Sequence, residues 1–441
     1  MPYKVAFISL GCAKNLVNTE QMMALCRDAG YTVTGEPEGA DVAVVNTCGF
    51  IESAKSEAIQ QILELGELKQ AGRLKKILAA GCLTQRYPGE IRQDLPEVDG
   101  MLGTGSYTQV VPAVEALMAG GRPEHFGDIH RTDEDGTRWV TTPPYTAYLK
   151  IAEGCSNGCA FCVIPKLRGR YRSRSMEALL AEARGLAAAG VKELIVVAQD
   201  ITRYGLDLGD GTTLARLLDG LCRLDFHWIR LHYLYPEAVT EELIETIARQ
   251  PKILHYLDIP IQHCNDGILT TMRRRSTKAE ITALFARLRA AMPDVVLRTS
   301  LICGLPGEGE AEFEELCEFL QEQRLPRVGV FQFSPEEGTL AAAMEHQVDP
   351  DTAARRVELV VDLQSQVMDA CNEERLGSVM EVLCEGFDPQ AGCYAGRTYA
   401  DSVDIDGRVY FTAAGAVPAG EFVQVRITGT VDGDLTGELE P

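Results

Sequence analysis

The run GCSNGCAFC places Cys155, Cys159 and Cys162 in a CxxxCxxC spacing on one short stretch of chain. On so short a loop the three thiolates must converge, and soft anionic sulfur suits iron–sulfur clusters or zinc. A four-iron cluster takes four ligands, so three cysteines leave one iron open to a further ligand. A zinc knuckle would instead pair two CxxC units or add a fourth Cys or His close by, and neither follows here. A second set is less local. Cys12 closes FISLGC, Cys48 closes VVNTC and Cys82 closes ILAAGC, with Gly11, Gly49 and Gly81 beside them. If the three apolar runs are parallel strands of one sheet, each delivers a cysteine just beyond its carboxyl end, the edge where open α/β sheets build sites. The glycines give room for close backbone approach. Free cysteine is also common in cores, which is the competing explanation.

The elements that must position these residues follow from periodicity. Over residues 1–105, KVAFISL, DVAVVN and KKILAA alternate with the helical patterns LVNTEQMMALCRDAG and 51–69, a βαβαβ pattern with a parallel sheet. A polar stretch over residues 120–144, rich in Gly, Pro, Asp and Thr, predicts a linker. Six further strand candidates follow over residues 145–334: AYLKIAE, ELIVVAQ, WIRLHYL, YLDIPIQ, VVLRTSLIC and VGVFQFS. Each is trailed by a helix or loop, which suggests a partial (βα)6 barrel with the CxxxCxxC loop directly after its first strand. A helix over 351–374 leads out of it. Short alternating runs then predict a small all-β barrel. The expected fold class is α/β: a parallel cluster-binding domain at 1–120, a linker at 121–144, a partial barrel at 145–374 and a small β-barrel at 375–441. No low-complexity segment or sequence repeat beyond the βα alternation occurs.

Composition narrows the function classes. The formal charge of -22 opposes a tight sequence-independent grip on phosphate backbones. The first residues lack the basic region, apolar run and cleavage site of a signal peptide, and no uncharged apolar stretch is long enough to span a membrane, so a cytoplasmic protein without a membrane partner is expected. Fourteen cysteines in a reducing compartment favour metal binding or catalysis over disulfides. From residue 375 onward, eleven Asp and Glu stand against four Arg and no Lys, a formal charge of -7. A small barrel that holds RNA usually shows a basic face with exposed aromatics. Such an acidic tail is expected to repel RNA and attract a basic protein, although acidity also serves solubility alone.

Cys155, Cys159, Phe161 and Cys162 together resemble the radical S-adenosylmethionine (SAM) superfamily, whose CxxxCxxC motif carries an aromatic before the last cysteine. The resemblance implies a [4Fe–4S] cluster whose open iron binds SAM, and a 5′-deoxyadenosyl radical as oxidant. With the second triad, the whole chain resembles the methylthiotransferases, which implies a second [4Fe–4S] cluster at Cys12, Cys48 and Cys82, a C-terminal β-barrel of the TRAM type, and insertion of sulfur plus a methyl group from a second SAM. SLGCAKNLVNTE at 9–20 and NTCGFIESAKSEAI at 46–59 are similar to the RimO-type branch, which modifies the β-carbon of an aspartate in a small-subunit ribosomal protein of the uS12 class. HYLYPEAVT, IPIQHCND, MRRRST and FSPEEGT point the same way. The resemblance also implies an electron donor and a sulfur donor. Leu305 and Gly309 in GLPGEGE depart from the family's usual Phe and Thr, which bears on the positioning of SAM by that loop.

Weaker candidates remain. Phe161 suits either the cofactor or the core. Gln199 and Asp200 close the second barrel strand, where they could contact SAM or cap the next element. Arg298 and Glu308, near the fifth strand, are similar. Cys26, Cys222, Cys264, Cys303, Cys317, Cys371, Cys384 and Cys393 have no ligand spacing and are expected in the core or at neutral surface, and His263 is expected to be structural. Two rival functions are a tRNA methylthiotransferase with the same chemistry, which would bind RNA in a salt-sensitive way, and a non-catalytic zinc or electron-transfer protein.

Overall fold

The apolar runs that end in cysteine do form one sheet. The computed structural model describes residues 2–131 and 136–440. Its N-terminal part is a six-stranded, all-parallel sheet of β1 (Lys4–Ser9), β2 (Thr32–Thr34), β3 (Val42–Thr47), β4 (Lys76–Gly81), β5 (Gly100–Leu102) and β6 (Glu124–His125), ordered β2-β1-β3-β4-β5-β6. The residues of β3 are buried throughout, which is why VAVVNT reads as a continuous apolar run rather than an alternation. Strand order reverses direction at β1, so the crevice beyond the carboxyl ends of β1 and β3 is the topological switch point of the sheet. Strand β6 lies inside the stretch expected as a linker and pairs with β5. Further along it, Trp139 N donates to Glu20 O at 3.0 Å and Thr141 N to Glu20 Oε1 at 2.7 Å. The linker expectation also covers residues 132–135, which lie outside the described residues.

The central part holds a second parallel sheet of six strands. AYLKIAE splits into β7 (Thr146–Lys150) and β8 (Ala152–Glu153), and β8 pairs antiparallel with β9 (Arg172–Ser173). With β10 (Glu193–Val197), β11 (Trp228–Leu231), β12 (Ile253–Asp258), β13 (Val296–Cys303) and β14 (Arg327–Gln332), the order is β14-β13-β12-β11-β10-β7. This is an open, partial barrel with β7 and β14 at its edges. The helices on its outside close one continuous core that includes Leu149, Leu194, Ile229, Leu257, Phe285 and Phe319. Among the described residues no helix is long and apolar enough to cross a membrane.

The helix Pro350–Glu373 leads to a closed five-stranded barrel of β15 (Val379–Asp388), β16 (Cys393–Arg397), β17 (Val409–Thr412), β18 (Phe422–Val431) and β19 (Asp434–Leu439). Closure removes the unpaired edges that such short strands would otherwise expose. A loop over residues 397–406 docks under the central sheet. Glu193, fully buried at the start of β10, accepts from Arg230 Nε at 2.9 Å and Arg397 Nη2 at 2.6 Å. Arg327 Nη2 donates to Asp401 at 2.6 Å, and Tyr256 Oη to Asp406 at 2.6 Å. Glu381 and Glu421 also pair, with His227 and Lys192. Part of the acidity of the tail is therefore spent on holding the two barrels together, a use that a charge count cannot separate from an acidic outer face.

Candidate functional site

Three strand ends build the first triad. Cys12 is the N-cap of the helix Ala13–Asp28, Cys48 follows β3 directly, and Cys82 opens the helix Cys82–Arg86 straight after β4. The flanking glycines are required by the packing. A Cβ on Gly11 would lie 2.7 Å from Cys48 Cβ and 3.1 Å from its sulfur, and one on Gly49 would lie 2.8 Å from the Leu83 backbone. Gly81, at φ 98°, faces Asn46 and Thr47 so closely that a side chain there has no room. Cys48 thus touches the residue beside Cys12, and its own neighbour touches the turn that starts at Cys82. Burial pushes the Cys48 thiol up to about 11, with Cys82 and Cys12 adding to the rise. Burial also raises Cys82, against the pull of Arg168. At Cys12 burial is outweighed by the charges of Lys14 and Arg168, which hold that thiol below its ordinary value.

The second triad lies on the loop beyond β7 and β8. Gly154, at φ 75°, starts it where a Cβ would strike the carbonyl of Arg170 at 2.2 Å. The loop is pinned from several sides: Cys155 N donates to Gly169 O at 3.1 Å, Ala160 N to Met272 O at 3.0 Å, and Ala341 N to Ala160 O at 2.9 Å. Burial pushes Cys155 up to about 11 and Cys162 up to about 12, and their neighbouring cysteines add to it. All fourteen cysteines are free. Among the described residues no three His, Cys, Asp or Glu side chains close tightly enough around one point to hold a single metal ion. A four-iron cluster, by contrast, holds its cysteines apart by its own width. Three thiols per site, with no competing carboxylate or imidazole, is the donor set of such a cluster.

A buried ionic network joins the two triads. Arg168, on the short helix Ile164–Arg168 after the second triad, donates through Nη1 to both oxygens of Glu153 at 2.9 Å and through Nη2 to Asn15 of the first domain. Glu153 also accepts from Lys150 Nζ at 2.8 Å and Gln199 Nε2 at 2.9 Å. Burial alone would raise the Glu153 carboxyl, but Arg168 and Lys150 hold it well below the usual range. Lys14 leaves the first domain and lies 3.8 Å over the ring of Tyr233, just past β11.

The six cysteines expected as ligands therefore gather as two groups of three at the carboxyl ends of two sheets. Phe161 is half-buried against Ala160, Ile268, Met272 and Leu305. Gln199 turns its amide nitrogen to Glu153 while its Oε1 is buried with no protein partner. Asp200 is fully engaged, accepting from Asn157 Nδ2 at 2.8 Å, Thr202 N at 3.0 Å and Arg203 Nε at 3.1 Å, so it fixes the cluster loop through Asn157. Arg298 donates to Asp258 at 2.7 Å. Glu308 accepts from Gly304 N at 2.9 Å and Arg356 Nη1 at 2.9 Å, and His263 stands 3.6 Å from it, so both brace the GLPGEGE loop. Leu305 is fully buried there, and Gly309 begins the helix Glu310–Gln323 with no side-chain cap.

Residues that spacing did not single out also line the site. Arg274 Nη1 donates to Cys159 Sγ at 3.6 Å and Nη2 to Pro260 O at 2.8 Å, and its guanidinium lies 4.5 Å over the Tyr235 ring. The Tyr235 hydroxyl is 4.0 Å from the same sulfur. A run of three arginines in so acidic a chain was the available signal.

Comparison with known proteins agrees with this layout. Residues 4–103 match the family described as Uncharacterized protein family UPF0004, residues 149–320 the Radical SAM superfamily, and residues 376–439 the TRAM domain. The chain is 47% identical over 442 residues to the ribosomal protein uS12 methylthiotransferase RimO of Symbiobacterium thermophilum, covering 99% of this chain and 91% of that one. It is 46% identical to the protein of the same name from Pelotomaculum thermopropionicum, covering 99% of both, and 46% identical to that of Geobacter sulfurreducens, covering 99% and 98%. Among solved structures, the radical SAM methyltransferase TsrM of Kitasatospora setae superposes with a TM-score of 0.56 over 74% of this chain and 72% of that one, at 13% identity. The cobalamin-dependent radical SAM enzyme OxsB gives 0.55 over 81% and 56%, also at 13%. At that identity these two likenesses speak to the fold alone.

Proposed function

The chain belongs to the RimO family of ribosomal protein uS12 methylthiotransferases, and from that premise we propose that it places sulfur and a methyl group on the β-carbon of an aspartate in that ribosomal protein. Cys155, Cys159 and Cys162 would hold one [4Fe–4S] cluster, which would supply the electron for reductive cleavage of SAM; Cys12, Cys48 and Cys82 would hold a second, which would supply the sulfur, and a second SAM would supply the methyl group. The observation that supports this reading is a three-thiol set at the carboxyl end of each of two sheets, with the buried Arg168 bound both to Glu153 of the central part and to Asn15 of the first domain.

The chain's own residues do the positioning. Asp200 and Asn157 hold the loop of Cys155, Cys159 and Cys162 in shape, and Arg274 sets a fixed positive charge beside Cys159. The unpartnered Oε1 of Gln199 is a ready acceptor for a polar hydrogen of SAM, with Phe161 as an apolar wall, whereas Arg298 is already paired with Asp258 at 2.7 Å. The working division of the chain is 1–120, 121–144, 145–374 and 375–441. An electron donor and a sulfur donor complete the reaction, and the setting is the cytoplasm. The TRAM match is the one observation that favours RNA as a partner, and the tail's formal charge of -7 weighs against it.

The test is anaerobic. The protein is reconstituted with iron and sulfide and given SAM, dithionite and a peptide carrying the ribosomal-protein loop. Mass spectrometry should show a methylthio adduct on the aspartate together with free 5′-deoxyadenosine. Release of 5′-deoxyadenosine with no change in the peptide, but with modification of tRNA, would replace the protein substrate by RNA.

A further inference from the structure

The reaction proposed above needs one electron for each SAM cleaved, and that electron comes from outside the chain. Its carrier must approach the loop of Cys155, Cys159 and Cys162, which is open to solvent on one side. Ser156 and Gly158 are exposed, although Cys155 and Cys159 on either side of them are buried. A Cβ added to Gly158 would meet nothing within 4 Å. At this point the loop's own backbone is the outer surface of the site.

The charge around the opening is opposite to that of the molecule. The chain carries -22 overall, yet residues 154–176 hold five Lys and Arg and no Asp or Glu, and Arg273, Arg274 and Arg275 stand in a row. Backbone contacts set the two segments at either end of the loop. Cys155 N donates to Gly169 O and Tyr171 N to Ser156 Oγ, both at 3.1 Å, so Arg170 lies against its start. Ala160 N donates to Met272 O at 3.0 Å, so the arginine run lies against its end. Most cations of these segments serve the fold. Arg168 pairs with Glu153 and Arg174 with Glu182, while Arg274 turns inward to Cys159 and Pro260 O. Arg172 and Lys166 donate to backbone carbonyls. Arg170, Arg273 and Arg275 differ: all three are exposed, and among the described residues none has an ion pair or a side-chain hydrogen bond. Glu237, beside the second segment, accepts from Ser276 Oγ at 3.3 Å rather than from these guanidinium groups. The cations that pull most on the Cys155 and Cys162 thiols are Arg203 and Arg274, so the three free arginines are not ones that the cysteines answer.

Three unanswered charges on one rim of a strongly acidic protein make a local positive potential. Such a rim steers an acidic partner to itself while the rest of the surface repels it, and it repels a basic ribosomal protein. Its small extent suits the brief, small-area encounters of electron-transfer proteins. We infer that Arg170, Arg273 and Arg275 form the docking rim for an acidic one-electron carrier protein, which delivers its electron across the exposed backbone at 156–158. The inference rests on the function proposed above. In each turnover the carrier gives up one electron and is left oxidised. The electron enters the C5′–S bond of SAM, which breaks to methionine and the 5′-deoxyadenosyl radical.

The test gives the reconstituted holoenzyme two reductants: an acidic [2Fe–2S] ferredoxin reduced beforehand, and the methyl viologen radical cation, which gains nothing from a positive rim. Binding of dye-labelled oxidised ferredoxin is read by fluorescence anisotropy, and 5′-deoxyadenosine release by chromatography. In the triple variant Arg170→Gln, Arg273→Asn, Arg275→Gln, ferredoxin affinity at low ionic strength should fall by roughly ten- to a hundredfold, and its salt dependence should flatten. Asn tolerates the left-handed backbone at 273, φ 57°. Ferredoxin-driven release at subsaturating carrier should fall with the affinity, while viologen-driven release stays level. Replacing the same three residues by Lys should restore most of the affinity, since steering needs charge rather than guanidinium geometry. No ferredoxin binding by the unaltered protein, unchanged binding in the triple variant, or equal loss of release with both reductants would overturn the assignment. Unchanged ferredoxin binding together with lost salt-sensitive binding of an RNA hairpin would overturn it in favour of a phosphate-binding rim. If the unaltered holoenzyme released no 5′-deoxyadenosine with either reductant, the radical SAM reading itself would fall, and this assignment with it.

Discussion

Arg168→Met tests whether the two thiol sites are held together by one buried charge. Arg168 is 2% exposed and makes two bonds of 2.9 Å to Glu153, plus one to Asn15 across the domain boundary. Methionine keeps much of the volume and removes the charge, leaving Glu153 buried with Lys150, Gln199 and the Gly154 N–H. Removing one partner of a buried pair costs about 3–5 kcal/mol when the other charge is left without compensation, and with Lys150 still 2.8 Å from Glu153 the lower end of that range applies. With a urea slope of roughly 3 kcal/mol per molar, the unfolding midpoint should fall by about 1 M. The chain has two tryptophans. With Trp228 replaced by Phe, Trp139, whose N–H donates to Glu20 O of the first domain, becomes the fluorescent reporter for that boundary. Adding Glu153→Gln and Lys150→Met to Arg168→Met should recover part of the loss, since no charge of this network is then left without its partner. A midpoint shift under about 0.3 M, or a triple variant no better than the single one, would refute the claim that this pair joins the sites.

Glu193 sets a limit at low pH. Its carboxyl is buried, yet Arg397 and Arg230 hold it at about 2 against an ordinary 4.5. A depressed carboxyl contributes stability that is complete above its unfolded value and is lost as pH falls through the folded one, so docking of the C-terminal barrel should weaken from about pH 4.5 downward and be largely spent near pH 2, at a scale of about 3 kcal/mol. Limited proteolysis beyond residue 374 across that range should accelerate as pH falls, and Glu193→Gln should flatten the dependence; an unchanged profile in the variant would remove Glu193 as its cause. The two triads should also separate in function. Cys159→Ala should abolish 5′-deoxyadenosine release, whereas Cys48→Ala should spare it and abolish sulfur insertion. Equal loss of SAM cleavage in both variants, with the untouched cluster intact in each, would show that the roles are not divided in this way.

What was legible in the sequence was whatever is local. A buried parallel strand must be a continuous apolar run, so KVAFISL, DVAVVN and KKILAA declare both their strands and the ends at which Cys12, Cys48 and Cys82 emerge. CxxxCxxC needs no fold at all to bring its sulfurs together. Elements stabilised by partners far along the chain were not legible. The two-residue strand Glu124–His125 has no periodicity to show and exists because β5 offers it an edge. AYLKIAE breaks after Lys150, and its second piece pairs with Arg172–Ser173, a partner that lies well beyond the run itself. The tail's acidic residues look like one surface when counted, yet Asp401 and Asp406 belong to an interface whose arginine and tyrosine partners lie in another domain. The buried cations Arg168, Arg298 and Arg327 follow the same rule: each is answered by a carboxylate of this chain that no sequence spacing links to it.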